Sequence, residues 1–210
     1  MPILSCNAPP AFEEACWALC MQLSALYPQQ PRRIVVTSAL PREGKTTVAV
    51  NLAVALAQKG ARVLLLEANL RSPVLAERLR LQQEPLNGLA AVLEEKDTDF
   101  KRGIVVSGLG FDVLLAGVAR RHPMVLLDSP QMTEILHRLA EAYDWVLLDT
   151  PAVCHFGDAC ALGKMTDGTV LVLRQNMTPV ESVQTACDSL KQMGVRLVGS
   201  VLNDCECAFQ

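Results

Sequence analysis

Short runs of apolar residues alternate along the chain with longer segments whose apolar positions recur at helical spacing. The runs predict strands at residues 33–38, 61–66, 104–116, 145–148, 169–174 and 196–202. The longer segments predict helices at 12–27, 45–59, 129–143, 159–164 and 179–193, with short helical pieces over 88–95 and after a Ser72 cap. Strands that are apolar on both faces and alternate with helices specify a parallel sheet covered on both sides. The predicted fold class is therefore α/β.

Composition and charge limit the classes of protein that this pattern can represent. The 210 residues are 50% hydrophobic and 20% charged, which predicts one folded unit with a full core: an N-terminal helical extension at 1–31 and a main domain at 32–210. A formal charge of −3 gives no general attraction for nucleic acid, and none is expected as a partner. The apolar runs are too short to span a bilayer and no signal pattern opens the chain, so a cytoplasmic protein is expected.

The segment between the first core strand and its helix reads Ser-Ala-Leu-Pro-Arg-Glu-Gly-Lys-Thr-Thr at residues 38–47. In this context backbone N–H groups and a helix N-terminus converge on phosphates, Lys45 can bridge the outer phosphates and the Thr46 hydroxyl can bind magnesium. The alternative, a turn glycine followed by a solvated lysine, does not explain why strand, motif and helix occur together. The predicted nucleotide contacts in this loop are Pro41, Arg42, Glu43, Gly44, Lys45, Thr46 and Thr47.

Phosphoryl transfer also needs carboxylates at the strand ends beside the loop. Asp149 ends an apolar strand and has the form of a Walker B aspartate that holds magnesium. Glu67 ends another strand and is a second candidate for holding magnesium or orienting the nucleophile, with an ordinary strand-end acid as the alternative. Arg71 is expected to meet phosphate or a carboxylate. Asp158 belongs either to a switch segment or to a helix N-cap.

Two further features have both a functional and a purely structural interpretation. Asn203, after the last strand, can hydrogen-bond the adenine edge, or it is a turn residue. The eight cysteines are scattered and are expected to be mostly reduced thiols. Cys205 and Cys207 form a close pair near the end of the sequence, which is either a loose tail or, in a dimer, a four-thiolate cluster.

Several short segments share an order with one family: Thr-Ser-Ala-Leu-Pro at 37–41, Glu-Gly-Lys-Thr-Thr at 43–47, Asn-Leu-Ala at 51–53, Asn-Leu-Arg at 69–71, Asp-Thr-Pro at 149–151 and Val-Leu-Asn at 201–203. Together they resemble the cytoplasmic kinase domain of bacterial tyrosine kinases, a P-loop fold similar to the MinD and ParA ATPases. The resemblance covers nearly the whole chain. In this family the loop begins Ser-x-x-Pro, which accounts for Ala39, and Leu40 stands in place of the ParA-type signature lysine.

The resemblance implies ATP and Mg²⁺ as cofactors, ring-like homo-oligomers, a membrane chain-length-determinant partner that recruits the domain to the inner face of the membrane, and control of capsule or exopolysaccharide export. The chain also departs from the family. Arg42 replaces a usual glycine, Glu67 and Asn69 replace two aspartates, and Glu14, Trp17 and Cys20 stand where ring contacts use Glu-x-x-Arg-x-x-Arg. Only two tyrosines are present and none lies in residues 205–210, so autophosphorylation of a tyrosine tail is not expected.

Three functions remain after these observations. The first is an ATP-dependent protein-tyrosine kinase in polysaccharide export, with Lys45, Glu67 and Asp149 as its catalytic residues. The second is a degenerate kinase that acts as a nucleotide-gated binding module, motivated by Arg42 and Asn69. The third is a ParA- or MinD-like ATPase.

Overall fold

A seven-stranded sheet with helices on both faces organises the structure, a computed structural model that describes residues 3–4, 9–28, 32–81, 88–95 and 100–204. The strands are β1 (Arg32–Ser38), β2 (Val63–Glu67), β3 (Ile104–Val106), β4 (Asp112–Leu114), β5 (Trp145–Asp149), β6 (Gly168–Arg174) and β7 (Leu197–Asn203). Their order is β3-β4-β2-β5-β1-β6-β7, and every neighbouring pair is parallel except β3 with β4. The α/β class and the mostly parallel sheet are confirmed.

Helices cover both faces of the sheet. They are α1 (Pro10–Leu26), α2 (Lys45–Gln58), α3 (Leu75–Leu79), α4 (Leu89–Glu95), α5 (Pro123–Leu127), α6 (Pro130–Ala142), α7 (Asp158–Gly163) and α8 (Val180–Gln192), with a 3₁₀ turn at Phe100–Gly103. Residues of α1 and α2 share one apolar cluster with the sheet, whereas residues of α4 to α8 form the second cluster on the opposite face. Strands β2 and β5 are buried along their whole length, which explains their continuous apolar sequences.

Sheet register places the predicted acidic strand ends together. Glu67 is paired with Asp149 across β2 and β5, and Val36 of β1 is paired with Asp149 on the other side. Strand β1 runs two residues further, to Ser38, before the phosphate-loop sequence begins. The carboxyl ends of three adjacent central strands therefore meet at one edge of the sheet, where open α/β sheets bind their ligands.

Two parts of the predicted element order need correction. The region at 104–116 is an antiparallel hairpin, because the 107–111 turn is closed by the Ser107 hydroxyl, which donates to the Phe111 carbonyl at 2.6 Å, and contains Gly108 and Gly110 at positive φ. Helix α5 was not predicted. Ser72 does not cap α3. The N-cap residue of this helix is Val74, whose side chain makes no capping hydrogen bond. Ser129 does cap α6, by accepting from the Met132 N–H.

The N-terminal helix packs directly on the domain. Cys20, Leu23 and Tyr27 are buried in the cluster that contains α2, and the Tyr27 hydroxyl donates to the Asp167 carbonyl at 2.8 Å. The boundary between 31 and 32 stays a prediction, although α1 shares its core with the rest of the fold. Within the described ranges, none of the helices combines the length and apolar character that crossing a membrane requires.

Candidate nucleotide site

The phosphate-loop sequence forms a tight turn between β1 and α2. Gly44 is the N-cap of α2, with φ +93°, and its carbonyl accepts the first helical bond from the Val48 N–H at 2.9 Å. A Cβ at this position would lie 2.0 Å from Nδ2 of Asn203. Glycine is therefore favoured twice, by the backbone conformation and by the close approach of the Asn203 side chain.

Residues behind the loop fix its shape. The Glu43 carboxylate is buried, with Oε2 accepting from the Leu40 N–H at 2.8 Å and Oε1 accepting from the Thr178 hydroxyl. The Asn203 side-chain amide donates to the Glu43 carbonyl at 3.0 Å. The Glu43 side chain thus braces the loop instead of facing a ligand, and Asn203 holds the loop from behind. The contact between Asn203 and adenine stays a prediction.

Asp149 lies beneath the loop with its side chain fully buried. Its Oδ2 accepts from the Thr46 hydroxyl at 2.7 Å, and its Oδ1 has no hydrogen-bond partner among the described residues. Burial raises the pKa of this carboxyl to about 6, against the opposing attraction of the Lys45 ammonium. A buried carboxylate oxygen without a partner is unfavourable unless a cation binds it. The unpartnered Oδ1, on the same carboxylate that Thr46 contacts, therefore fits a magnesium ion, which prefers hard oxygen ligands.

Glu67 occupies the neighbouring strand end and has a structural use within the fold. Its buried carboxylate accepts three backbone bonds: Oε1 from the N–H groups of Val74 and Leu75 at 2.6 and 2.7 Å, and Oε2 from Ala116 at 3.1 Å. These bonds cap α3 and join it to the segment after β4. The role of Glu67 in holding magnesium or orienting a nucleophile stays a prediction, and the structure adds that both of its oxygens also accept bonds within the fold.

Asn69 closes the turn after β2. Its side-chain amide donates to the Ser72 carbonyl at 3.0 Å, and its Oδ1 accepts from the Ser72 N–H at 3.3 Å. A carboxylate here could accept the second bond but could not make the first. The asparagine therefore suits the local turn, while it removes a negative charge from the edge of the site.

Arg71 connects two loops at the carboxyl edge of the sheet. Its guanidinium makes a two-pronged ion pair with the buried Asp158 at 2.8 and 2.9 Å, and it lies 4.2 Å from the ring centre of Phe156. Of the two partners expected for Arg71, the structure shows the carboxylate. Asp158 is the first residue of α7 and is not its N-cap, a position held by Gly157.

A cleft of about 490 Å³ opens above these groups. Its lining residues are Pro41, Arg42, Gly44, Lys45, Thr46, Asn69, Arg71, Ser72, Val74, Arg78, Pro151, Ala152, His155 and Phe156. The cleft thus brings together most of the predicted loop residues, whereas Glu43 and Asn203 lie behind it and Thr47 lies on α2, within 3.5 Å of Arg78.

Sequence reasoning missed Arg78, His155 and Phe156. They carry no motif, and only their positions just after the carboxyl ends of β2 and β5 indicated a place at the ligand edge. Arg42 was expected to be strained if its position needed positive φ, and its φ is +67°. Both tyrosines are used within the fold, since the Tyr143 hydroxyl donates to Asp112 at 2.8 Å and burial raises the pKa of each.

Comparison with known proteins agrees with this geometry. Residues 34–206 match the family model described as CobQ/CobB/MinD/ParA nucleotide binding domain. The chain is 36% identical to the tyrosine-protein kinase YwqD of Bacillus subtilis (strain 168) over 175 residues, which cover 83% of this chain and 73% of YwqD. It is 32% identical to the succinoglycan biosynthesis transport protein ExoP of Rhizobium meliloti (strain 1021) over 178 residues, which cover 83% of this chain but only 22% of ExoP.

A solved structure gives the same result for the fold. The kinase domain of the Escherichia coli tyrosine kinase ETK superposes with a TM-score of 0.84 at 30% identity, covering 94% of this chain and 78% of that domain. The chain therefore belongs to the CobQ/CobB/MinD/ParA nucleotide-binding domains and, among them, to the family of bacterial tyrosine kinases.

Proposed function

We propose that this chain binds ATP with Mg²⁺ and transfers the γ-phosphate to a tyrosyl hydroxyl of a partner protein in a polysaccharide-export system. The observation that carries the proposal is the unpartnered Oδ1 of buried Asp149, which lies beside the Thr46 hydroxyl under a cleft that contains Lys45. The similarity to the tyrosine kinases YwqD and ETK and to the succinoglycan biosynthesis transport protein ExoP supports the choice of tyrosine kinase chemistry and of polysaccharide export.

Each residue of the site has a definite part in this proposal. Loop N–H groups, Gly44 and the Lys45 ammonium hold the phosphates, while Asp149 and Thr46 hold the magnesium ion. Bound magnesium supplies charge neutralisation at the transferring group. Asp149 also orients the tyrosyl hydroxyl. Transfer of this kind depends mainly on positioning and electrostatic stabilisation, so it does not require a strong base beside the hydroxyl.

The proposed acceptor tyrosine belongs to a partner protein, since the hydroxyls of Tyr27 and Tyr143 are both bonded within the fold. The membrane chain-length protein implied by the resemblance is the partner we propose, and it would bring this domain to the inner face of the membrane. Homo-oligomerisation remains part of the proposal, although the exposed Glu14 of α1 is without the arginines that usually accompany it in ring contacts.

A second function is favoured by one specific observation. The Glu67 carboxylate accepts three backbone hydrogen bonds, and the neutral Asn69 side chain is hydrogen-bonded in its own turn. The cleft edge therefore has fewer acidic groups available than this chemistry usually employs. A nucleotide-gated binding module with little or no phosphotransfer is consistent with that edge. It predicts tight binding of ATP without turnover.

One experiment separates the two functions. Calorimetry of Mg·ATP binding is followed, on the same sample, by detection of phosphotyrosine on a tyrosine-containing peptide and on the candidate partner. The kinase proposal predicts transfer that disappears in Lys45→Met and increases in Asn69→Asp. Binding of ATP without transfer in both the wild type and Asn69→Asp supports the module, and ATP hydrolysis without phosphotyrosine would instead indicate a ParA-like ATPase.

A further inference from the structure

Arg42 combines a strained backbone with an exposed and unpaired side chain at the nucleotide cleft. Its φ of +67° lies in the left-handed region, which disfavours residues other than glycine. Its side chain is exposed on the wall of the nucleotide cleft. Its guanidinium makes no hydrogen bond or ion pair with any residue in the described part of the chain. A strained residue with a free charge at a ligand cleft indicates a binding role.

The cleft around Arg42 is positively charged although the whole chain is acidic. Arg42, Lys45, Arg71 and Arg78 all line it, together with His155, and no aspartate or glutamate is among its described lining residues. The nearby acids are Glu43, Glu67, Asp149 and Asp158, each at most 1% exposed. Their carboxylates point into the fold, where the oxygens are bonded or placed for a metal. The cleft therefore presents cations to any ligand that enters it.

Most of these cations already have a partner. Arg71 is paired with Asp158, and Arg78 lies 3.5 Å from the Thr47 hydroxyl. Lys45 is committed to the nucleotide phosphates under the proposed function, and the loop N–H groups complete that cradle. Arg42 is the cation that remains for a second ligand, and its planar fork suits a carboxylate.

We propose that Arg42 binds a carboxylate next to the acceptor tyrosine, so that the cleft selects acidic tyrosine-bearing segments of the protein substrate. This inference rests on the proposed function, whose peptide-binding step it makes specific. The strained backbone holds the guanidinium at the rim of the cleft, beside the point where a peptide meets the phosphates. An acidic flank would bring a carboxylate within reach of Arg42, whereas a basic flank would meet like charges.

The test measures peptide binding without requiring turnover. Three fluorescent peptides share one sequence around a single tyrosine and differ only in carrying Glu, Gln or Lys at the flanking positions. Their anisotropy is titrated with protein saturated with magnesium and a non-hydrolysable ATP analogue. The variants are Arg42→Gln, which removes the charge, Arg42→Lys, which keeps it, and Arg42→Gly, which also relieves the backbone. Arg62→Gln, at the opposite end of β2, is the matched control.

The wild type is expected to bind the Glu peptide about tenfold more tightly than the Gln peptide, as one charge-assisted hydrogen bond allows. This ratio should fall to near one in Arg42→Gln and Arg42→Gly, stay above one in Arg42→Lys and be unchanged in Arg62→Gln. Arg42→Gly should also have a higher melting temperature than the wild type, which separates the loss of selectivity from any loss of folding.

Other results would overturn the inference. The inference is wrong if the wild type binds no peptide or binds all three peptides equally. It is also wrong if Arg42→Gln keeps the preference for the Glu peptide. If Arg42→Gln weakens only the ATP analogue, the residue serves the nucleotide and the inference is wrong. Failure of the proposed function looks different, because the analogue would then not bind, or the selectively bound peptide would not be phosphorylated when ATP replaces the analogue.

Discussion

The Thr46 hydroxyl donates a 2.7 Å hydrogen bond to Oδ2 of Asp149, while the other oxygen of that carboxylate is buried without a partner among the described residues. In the ligand-free protein, therefore, only one of the two Asp149 carboxylate oxygens is hydrogen-bonded by a described residue. Sites prepared for a cation often have this property, since the same group that destabilises the free fold stabilises the complex.

Asp149→Asn should make the ligand-free protein more stable at pH 7.5. Burial raises the pKa of Asp149 from 3.8 to about 6, so the folded wild type binds more protons than the unfolded chain between these values and loses stability as the pH rises through them. The gain is at most about 3 kcal/mol at about 1.4 kcal/mol per pKa unit. Thermal melts at pH 7.5 and below pH 4 check this, because the difference should vanish at the lower pH. A less stable variant at pH 7.5 would contradict it.

Gly44→Ala should destabilise the protein and weaken nucleotide binding. The new Cβ combines a positive φ with a 2.0 Å approach to Asn203. Gly60→Ala is the matched control, because Gly60 has φ +86° but no heavy atom within 4 Å of an added Cβ. The control should cost about 1 kcal/mol and Gly44→Ala about 1–3 kcal/mol more in denaturant unfolding. Equal losses in the two variants would show that Asn203 does not crowd the loop, and Asn203→Ala should rescue part of the Gly44→Ala loss.

Glu67→Gln should lower the stability of the protein even without magnesium. The neutral amide places a donor where the carboxylate now accepts backbone N–H groups, and each unsatisfied buried donor costs about 1–3 kcal/mol. Urea unfolding in the presence of a chelator measures the effect. Unchanged stability together with weaker magnesium binding would contradict this structural role and favour Glu67 as a metal ligand.

Arg71→Ala should be far more destabilising than an arginine substitution in an exposed ion pair. It leaves the Asp158 carboxylate, which is 0% exposed, without its cation, at an expected cost of about 3–5 kcal/mol. Arg62→Ala is the comparison, since Arg62 is 64% exposed in its pair with Asp144 and solvent screens that pair, so its substitution should change the stability far less. Faster amide exchange over residues 151–157 in Arg71→Ala alone would accompany the loss; similar costs for both variants would contradict the prediction.

The sequence predicted those parts of the fold that local patterns determine. Strands β1 and β5 and helix α2 begin and end within about two residues of the predicted bounds, because continuous apolar runs and a terminal glycine mark them clearly. The β3–β4 hairpin was predicted only as one extended region. Its strands have three residues each, which is too short for a period to show.

The site was predicted as far as its motif extends. Lys45 and Thr46 line the cleft, and Asp149 lies beneath it with Oδ2 accepting from the Thr46 hydroxyl, an arrangement that strand ends beside a loop indicated. The use of Glu67 was not predictable, because its three donors come from two segments that lie far apart in sequence. Arg78 was missed for the same reason, since its place opposite Thr47 depends on how α3 packs on α2.

Asn203 holds the Glu43 carbonyl across 160 positions of sequence. A nascent chain in which the phosphate-loop motif has been translated, but β7 has not, still lacks Asn203, the residue that contacts the loop beside Gly44. Tight capture of a nucleotide would then mark a late event of biogenesis, available only once translation has passed the last strand. Truncated chains should fail to retain nucleotide even though they contain every residue of the motif.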